Sequence, residues 1–152
     1  MTEVSAAPSF MQVALAQAKS AAADGEVPVG CVIARAGTII AQARNRTLAD
    51  QDPTAHAEML AVRAAAHALG SERLVDCDLY VTLEPCAMCA AAISFTRIRR
   101  LYYGAADPKG GAVENGVRFF GSPTCHHRPE IYAGIGEADA AGLLKEFFRA
   151  RR

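Results

Sequence analysis

The chain has 152 residues, of which 51% are apolar and 21% charged, a composition typical of one globular domain spanning residues 1–152. Its 16 basic and 16 acidic side chains balance to zero net charge, which argues against nucleic-acid binding through overall charge but allows a local basic patch. No apolar run approaches the about 18 residues of a membrane span, and "MTEVSAAPSFMQ" lacks a secretory pattern, so we expect a cytoplasmic protein without a membrane partner.

The N-terminal third is predicted to form a helix followed by a β-hairpin. Apolar residues at helical spacing indicate the helix, and Asp24-Gly25 ends it. The stretch "VPVGCVIARAGTIIAQAR" then reads as two strands around the turn Ala36-Gly37. The helical positions are Met11, Ala14, Leu15, Ala18 and Ala22.

The next helix is predicted over residues 52–70 from its end signals. Asp52 is suited to cap it, Pro53 fits its first position, and Gly70 fits its end. Its predicted buried stripe consists of Ala55, Met59, Val62, Ala66 and Leu69.

The remaining segments alternate between strands and helices. Strands are predicted at "DLYVTLE" (78–84) and "RRLYYGA" (99–105), and Pro85 starts a helix between them that runs to about Ser94. Residues 105–129 read as a long functional loop, and residues 136–152 as a final helix. We expect its Leu143, Leu144, Phe147 and Phe148 in the core. This alternation predicts a mixed sheet covered by helices on both faces.

The five cysteines do not suggest a disulfide framework, because their number is odd and the expected compartment is reducing. Cys31 and Cys77 lie in apolar segments and are expected to be buried. Cys125 precedes His126 and His127, where a surface or partner contact is favoured over a second metal site.

The pair Cys86-x-x-Cys89 admits redox, structural-zinc and catalytic-metal interpretations. A structural zinc site needs four ligands, and the sequence has no second Cys-x-x-Cys and no His pair at finger spacing. A thioredoxin-like pair would follow the first strand, whereas this pair comes late. The other well-marked helix opens with His56 and Glu58, which supplies a candidate third ligand and an acid.

These two helix starts together predict a catalytic zinc site. Two thiolates balance the charge of Zn²⁺, and neutral His56 completes three ligands, leaving one position for water. Glu58 then serves as the general acid and base rather than as a ligand. His56 and Glu58 are two positions apart, and such residues point away from each other in a helix interior. Both can therefore approach one metal only because they lie at the helix end.

The motifs "HAE" and "PCAMC" resemble those of the zinc-dependent nucleobase deaminases, in which zinc-activated water attacks the ring and a glutamate moves protons. Longer stretches resemble the bacterial tRNA adenosine deaminase family. This resemblance implies a three-layer α/β/α cytidine deaminase-like fold with a mixed five-stranded sheet, a homodimer, one zinc per subunit, and conversion of adenosine to inosine at the wobble position of a tRNA anticodon. The stretches are "EVPVGCVI", "ARNRT", "DPTAHAE", "LYVTLEPCAMCAAAI", "RRLYYGAADPKGGA" and "FFRARR".

The resemblance also implies roles for individual residues. Asn45 matches the amide that fixes the base or its ribose, and Val29 and Gly30 match backbone near the base. Ala57 matches the amide between the metal ligand and the acid. Glu84 and Pro85 match residues that shape the pocket beside the zinc. The positions that match contacts to the anticodon arm are Asp107, Lys109, Gly110, Phe148, Arg149, Arg151 and Arg152.

Two alternatives remain open from the sequence. A small-molecule deaminase acting on guanine or cytosine shares the zinc motif, and a zinc-stabilised module without activity would need the metal but not Glu58. The segment from Gly111 to His126 departs from the family pattern in length and composition.

Overall fold

The computed structural model describes residues 9–151. Residues 1–8 and Arg152 lie outside the described residues. Residues 1–8 hold most of the segment in which we expect no secretory signal, and Arg152 is one of the residues expected beside the RNA. Within the described range, no helix combines the length and the apolar character needed to cross a bilayer.

Residues 9–151 form four α-helices and five β-strands, with a short 3₁₀ turn in the long loop predicted between β4 and α4. The elements are α1 (Phe10–Ala23), β1 (Gly30–Arg35), β2 (Thr38–Arg44), α2 (Ala57–Leu69), β3 (Cys77–Leu83), α3 (Ala87–Phe95), β4 (Arg100–Ala105), the 3₁₀ turn (Phe119–Gly121), β5 (Glu130–Tyr132) and α4 (Glu137–Arg149).

The strands form one mixed sheet in the order β2-β1-β3-β4-β5. The predicted hairpin is confirmed: Arg35 pairs with Thr38, and Ala36 and Gly37 between them both have positive φ, as a two-residue type I′ turn requires. β1 also pairs antiparallel with β3, whereas β3–β4 and β4–β5 are parallel. The local pattern predicts four strands and misses β5, because β5 has three residues and all are exposed, so it shows no alternation.

Helices cover both faces of the sheet, which confirms the three-layer α/β/α fold. Alternate strand residues point to opposite faces. On one face Ile33, Leu79 and Leu101 pack with α2 and α3, and on the other Val32 and Tyr80 pack with α1 and α4. Cys31 and Cys77 are fully buried, as predicted.

Two predicted helix starts are wrong, because each helix begins later than predicted, directly after an extended N-cap residue. Asp52 closes a local turn instead of capping a helix, since its Oδ1 accepts from the Thr54 amide at 2.8 Å. After this turn His56 is extended and α2 begins at Ala57. Cys86 is likewise extended, so α3 begins after it rather than at Pro85. His56 and Cys86 are therefore the N-cap residues of their helices.

The predicted buried faces of α2 and α4 are partly wrong. The buried face of α2 is built from small residues four apart, Ala57, Ala61 and Ala65, together with Glu58 and Val62. Of the large residues predicted there, Met59 and Leu69 are only half-buried. In α4, Phe147 is buried but Phe148 is 50% exposed, because the two residues point to different sides of the helix.

Candidate metal and active site

The N-termini of α2 and α3 bring three metal-ligating atoms together. His56 Nδ1 lies 3.6 Å from Cys86 Sγ and 3.5 Å from Cys89 Sγ, and all three atoms are within 4.8 Å of one another. A tetrahedral zinc with Zn–N of about 2.0 Å and Zn–S of about 2.3 Å separates nitrogen and sulfur by roughly 3.5 Å. The observed separations thus fit zinc.

The composition of this group also fits a catalytic zinc. Among residues 9–151 it is the single cluster of three or more His, Cys, Asp or Glu side chains arranged to hold a metal ion, and it has three members. Structural zinc sites use four protein ligands, whereas catalytic sites use three and keep one position for water or substrate. His56, Cys86 and Cys89 are therefore the residues that would hold one zinc.

The two sulfurs differ in acidity. Hydrogen bonding with Cys89 and with His56 lowers the pKa of the Cys86 thiol to about 4. The hydrogen bond with Cys86 raises the pKa of Cys89 well above its usual range, and burial of Cys89 adds to this rise. One sulfur ionises readily, and the second ionises at neutral pH only with a cation beside it, as expected for a thiolate pair that binds a divalent metal.

Glu58 is the acidic side chain beside the three ligands. Its carboxyl group is 4% exposed, and burial raises its pKa to about 7, with the nearby Cys86 adding to the rise and His56 opposing it. A carboxyl group with a pKa near neutrality can both take up and release a proton at physiological pH. This is the behaviour required of a general acid and base.

A cavity of about 330 Å³ opens beside the ligands and is large enough for a nucleobase. Of the residues implied by the resemblance, Asn45, Val29, Glu84, Asp107 and Gly110 line it. The full lining is Val27, Val29, Asn45, Thr47, His56, Glu58, Leu83, Glu84, Cys86, Asp107 and Gly110. Val27, Thr47 and Leu83 were missed by sequence reasoning, since they carry no metal-binding or acid–base chemistry and only the fold brings them here.

Gly30, Ala57 and Pro85 do not line this cavity. A Cβ atom on Gly30 would face α1, 1.9 Å from the carbonyl oxygen of Ala14. Ala57 is fully buried under the sheet, and the Pro85 carbonyl accepts a hydrogen bond from the Ala112 amide at 2.8 Å. Any contact of these residues with a substrate would therefore be through backbone or indirect.

Glu84 lies in the cavity wall and is 2% exposed. Burial by itself would raise the pKa of this carboxyl group. Hydrogen bonds from the Asp107 amide, the Asn115 side chain and further loop amides outweigh burial, so the pKa is lowered and the group is ionised.

A second cavity of about 420 Å³ adjoins the first and shares Val27, Leu83 and Asp107 with it. Lys109 and the half-exposed Phe148 line this second cavity, next to Ala106 and Leu144. Arg149 lines neither cavity and pairs with Glu146 on the exposed face of α4. The Arg151 guanidinium lies 3.6 Å from the centre of the Phe147 ring.

As the sequence favoured, the described residues form no second metal site at Cys125. Cys125 Sγ donates to the His127 carbonyl at 3.1 Å, and His127 Nε2 lies 2.7 Å from the Ile98 carbonyl. Both side chains are therefore used within the fold.

Comparison with known proteins agrees with this geometry. Residues 5–105 match the cytidine and deoxycytidylate deaminase zinc-binding region. A protein named tRNA-specific adenosine deaminase from Agrobacterium fabrum is 60% identical over 143 residues, which are 94% of this chain and 94% of that protein.

Two solved structures show the same fold with different specificity. One, from a study of A-to-I editing by tRNA:A34 deaminases at the wobble position of transfer RNA, has a TM-score of 0.88 and 61% identity over 89% of this chain and 98% of its own. A guanine deaminase from Nitrosomonas europaea has a TM-score of 0.75 and 25% identity over 95% of this chain and 86% of its own. This chain belongs to the cytidine and deoxycytidylate deaminase zinc-binding family and, within it, to the tRNA-specific adenosine deaminases.

Proposed function

We propose that this protein converts adenosine to inosine at the wobble position of a tRNA anticodon. One observation carries the proposal: the buried carboxyl group of Glu58 lies beside a three-ligand metal group at a base-sized cavity. The 60% identity to a tRNA-specific adenosine deaminase across nearly the whole chain supports the substrate.

The reaction is a hydrolysis in which adenosine and water give inosine and ammonia. Zinc, when bound by His56, Cys86 and Cys89, supplies Lewis-acid activation of water. The Glu58 carboxylate accepts a proton from the attacking water and delivers it to the amino nitrogen on C6 of the base, which leaves as ammonia. The Asn45 amide, 7% exposed, offers both donors and an acceptor to orient the base or its ribose.

The anticodon arm is the proposed partner because the base cavity shares three wall residues with the second cavity. An adenosine within RNA must be flipped out of its stack to enter a closed site, so its neighbouring nucleotides need support outside that site. Phe148 offers an aromatic face for stacking and Lys109 offers charge to phosphates, whereas Arg149 would exchange its partner Glu146 for a phosphate. Asp107 Oδ1 accepts from the amides of Lys109 and Gly110 at 3.2 and 3.0 Å, which stiffens this loop.

Three further proposals accompany this function. The chain acts as a single domain and as a homodimer, and exposed apolar side chains such as Phe95 (67%) and Val117 (68%) support an interface. Sedimentation at twice the mass of the 16.1 kDa chain would be the expected result. A tRNA-modifying enzyme works where tRNA matures, which supports a cytoplasmic location.

The test is a comparison of substrates. We expect zinc-loaded protein to form inosine in a tRNA with adenosine at the wobble position and to react poorly with free guanine, cytosine and adenine. The structural likeness to a guanine deaminase makes free guanine the main competing substrate. Release of ammonia from free guanine, with no reaction on the tRNA, would assign the protein to the small-molecule class instead.

A further inference from the structure

The carboxylate of Glu84 is the centre of a hydrogen-bond cluster that involves both its oxygens. Oε1 accepts from the Asp107 amide at 2.9 Å and from the Asn115 side-chain amide at 2.7 Å. Oε2 accepts from the backbone amides of Val113, Glu114 and Asn115 at 3.0, 2.9 and 3.1 Å. We propose that Glu84 is a positioning residue that holds the loop of residues 107–115 as one wall of the base cavity; this inference rests on the proposed function.

The loop is also joined to the start of the metal-binding helix. The Ala112 amide donates to the Pro85 carbonyl at 2.8 Å, and the Glu84 amide donates to Ala105 at the end of β4 at 2.8 Å. Glu84 and Pro85 directly precede Cys86, the N-cap of α3. The carboxylate thus connects the loop to the same segment that presents the first cysteine ligand.

Packing around the carboxylate is too tight for a side chain on the facing residue. A Cβ on Gly111 would lie 2.4 Å from Glu84 Cδ and 2.6 Å from the Asp107 carbonyl oxygen. Glycine is therefore required for this approach. The loop has a further attachment to the core, because the phenol of the fully buried Tyr103 donates to the Glu114 carboxylate.

The geometry favours positioning over proton transfer for Glu84. Five donors occupy its two oxygens, so it has little capacity left to accept a proton from a substrate. Asp107 and Gly110 line the cavity together with Glu84 and lie in the loop that Glu84 holds. Displacement of the loop would therefore change substrate binding first.

This inference also gives a role to part of the segment that departs from the family pattern. Residues 111–115 contribute a glycine that makes room for Glu84 and four of its five hydrogen bonds. They therefore fix the loop that carries the wall residues Asp107 and Gly110, and this role needs no contact with RNA.

The test uses zinc-loaded full-length protein with Glu84→Gln. The glutamine amide nitrogen does not accept hydrogen bonds, so it would face N–H donors at a position where a carboxylate oxygen now accepts from them. We expect hydrogen exchange at the amides of residues 107–115 to accelerate about tenfold, and KM for the tRNA to rise about tenfold with kcat within about threefold. Zinc should stay at one per chain. The control is Glu130→Gln, which removes an exposed carboxylate that is paired with Arg100 and does not line the cavity, and which should change none of these values.

A second variant covers the case in which Glu84→Gln does not fold. Asn115→Ala removes the 2.7 Å hydrogen bond alone and should shift exchange and KM in the same direction by a smaller factor. Unchanged exchange in the loop, a loss of kcat at constant KM, or a loss of zinc would each overturn the proposal. The exchange measurement needs no substrate, so failure of the wild-type protein on tRNA would reject the proposed function and leave the loop assignment tested separately.

Discussion

Replacement of Gly30 by alanine tests the packing of the sheet against α1. The added Cβ would lie 1.9 Å from the Ala14 carbonyl oxygen and 2.7 Å from the Ala18 amide nitrogen. Contacts of a Cβ below 3.0 Å essentially never occur, so the backbone of α1 would have to move by about 1 Å. Insertion of a methyl group into a packed core costs about 1–3 kcal/mol, and because the obstacles here are backbone atoms we expect about 3 kcal/mol.

The assay is urea unfolding of the zinc-loaded protein, with the midpoint compared at constant slope. Gly142→Ala is the matched control, since Gly142 lies within α4 and an added Cβ there meets no atom within 4 Å. Removing a helical glycine should stabilise the protein by about 0.5–1 kcal/mol, so the two substitutions have opposite signs. A Gly30→Ala protein within about 0.5 kcal/mol of wild type would refute the close approach of α1 to β1.

Three further predictions concern the metal, a second loop and the RNA. Mass spectrometry should show that Cys86→Ala has lost its zinc and that Cys125→Ala keeps it. A Cys86→Ala protein fully loaded with zinc would contradict the ligand assignment. Glu26 is 2% exposed and accepts from the Leu48 amide at 3.1 Å, so Glu26→Gln should accelerate hydrogen exchange there about tenfold, and unchanged exchange would speak against this anchor. Activity on tRNA should fall as the salt concentration rises, and Lys109→Ala should reduce the slope of log activity against log salt concentration by about 0.7–0.9. An unchanged slope would show that Lys109 makes no phosphate contact.

The features that follow from local chemistry could be predicted from the sequence. The hairpin turn at Ala36-Gly37 and the end of α2 at Gly70 depend on positive φ at those residues. The metal group follows from residue types at two helix starts, and His56 and Cys86 indeed occupy the N-cap positions. Such signals act within a few residues of chain.

The features that depend on tertiary packing could not be predicted. β5 has three exposed residues and exists because it pairs with β4. The buried face of α2 is set by how closely its alanines approach the sheet, and the exposure of Phe148 by the orientation of α4. The role of Glu84 emerges only when residues 107–115 fold back over it, since its donors lie more than 20 positions away in the sequence.

The proposed role of Glu58 is to move protons for the deamination of one adenosine in tRNA. Total tRNA should be incubated with zinc-loaded wild-type protein or with Glu58→Gln and then sequenced for adenosine-to-inosine changes. We expect inosine at wobble adenosines with the wild type, and a rate lower by about 10²–10⁴-fold with Glu58→Gln at unchanged zinc content. Inosine formation by the zinc-loaded Glu58→Gln protein at the wild-type rate would contradict the account.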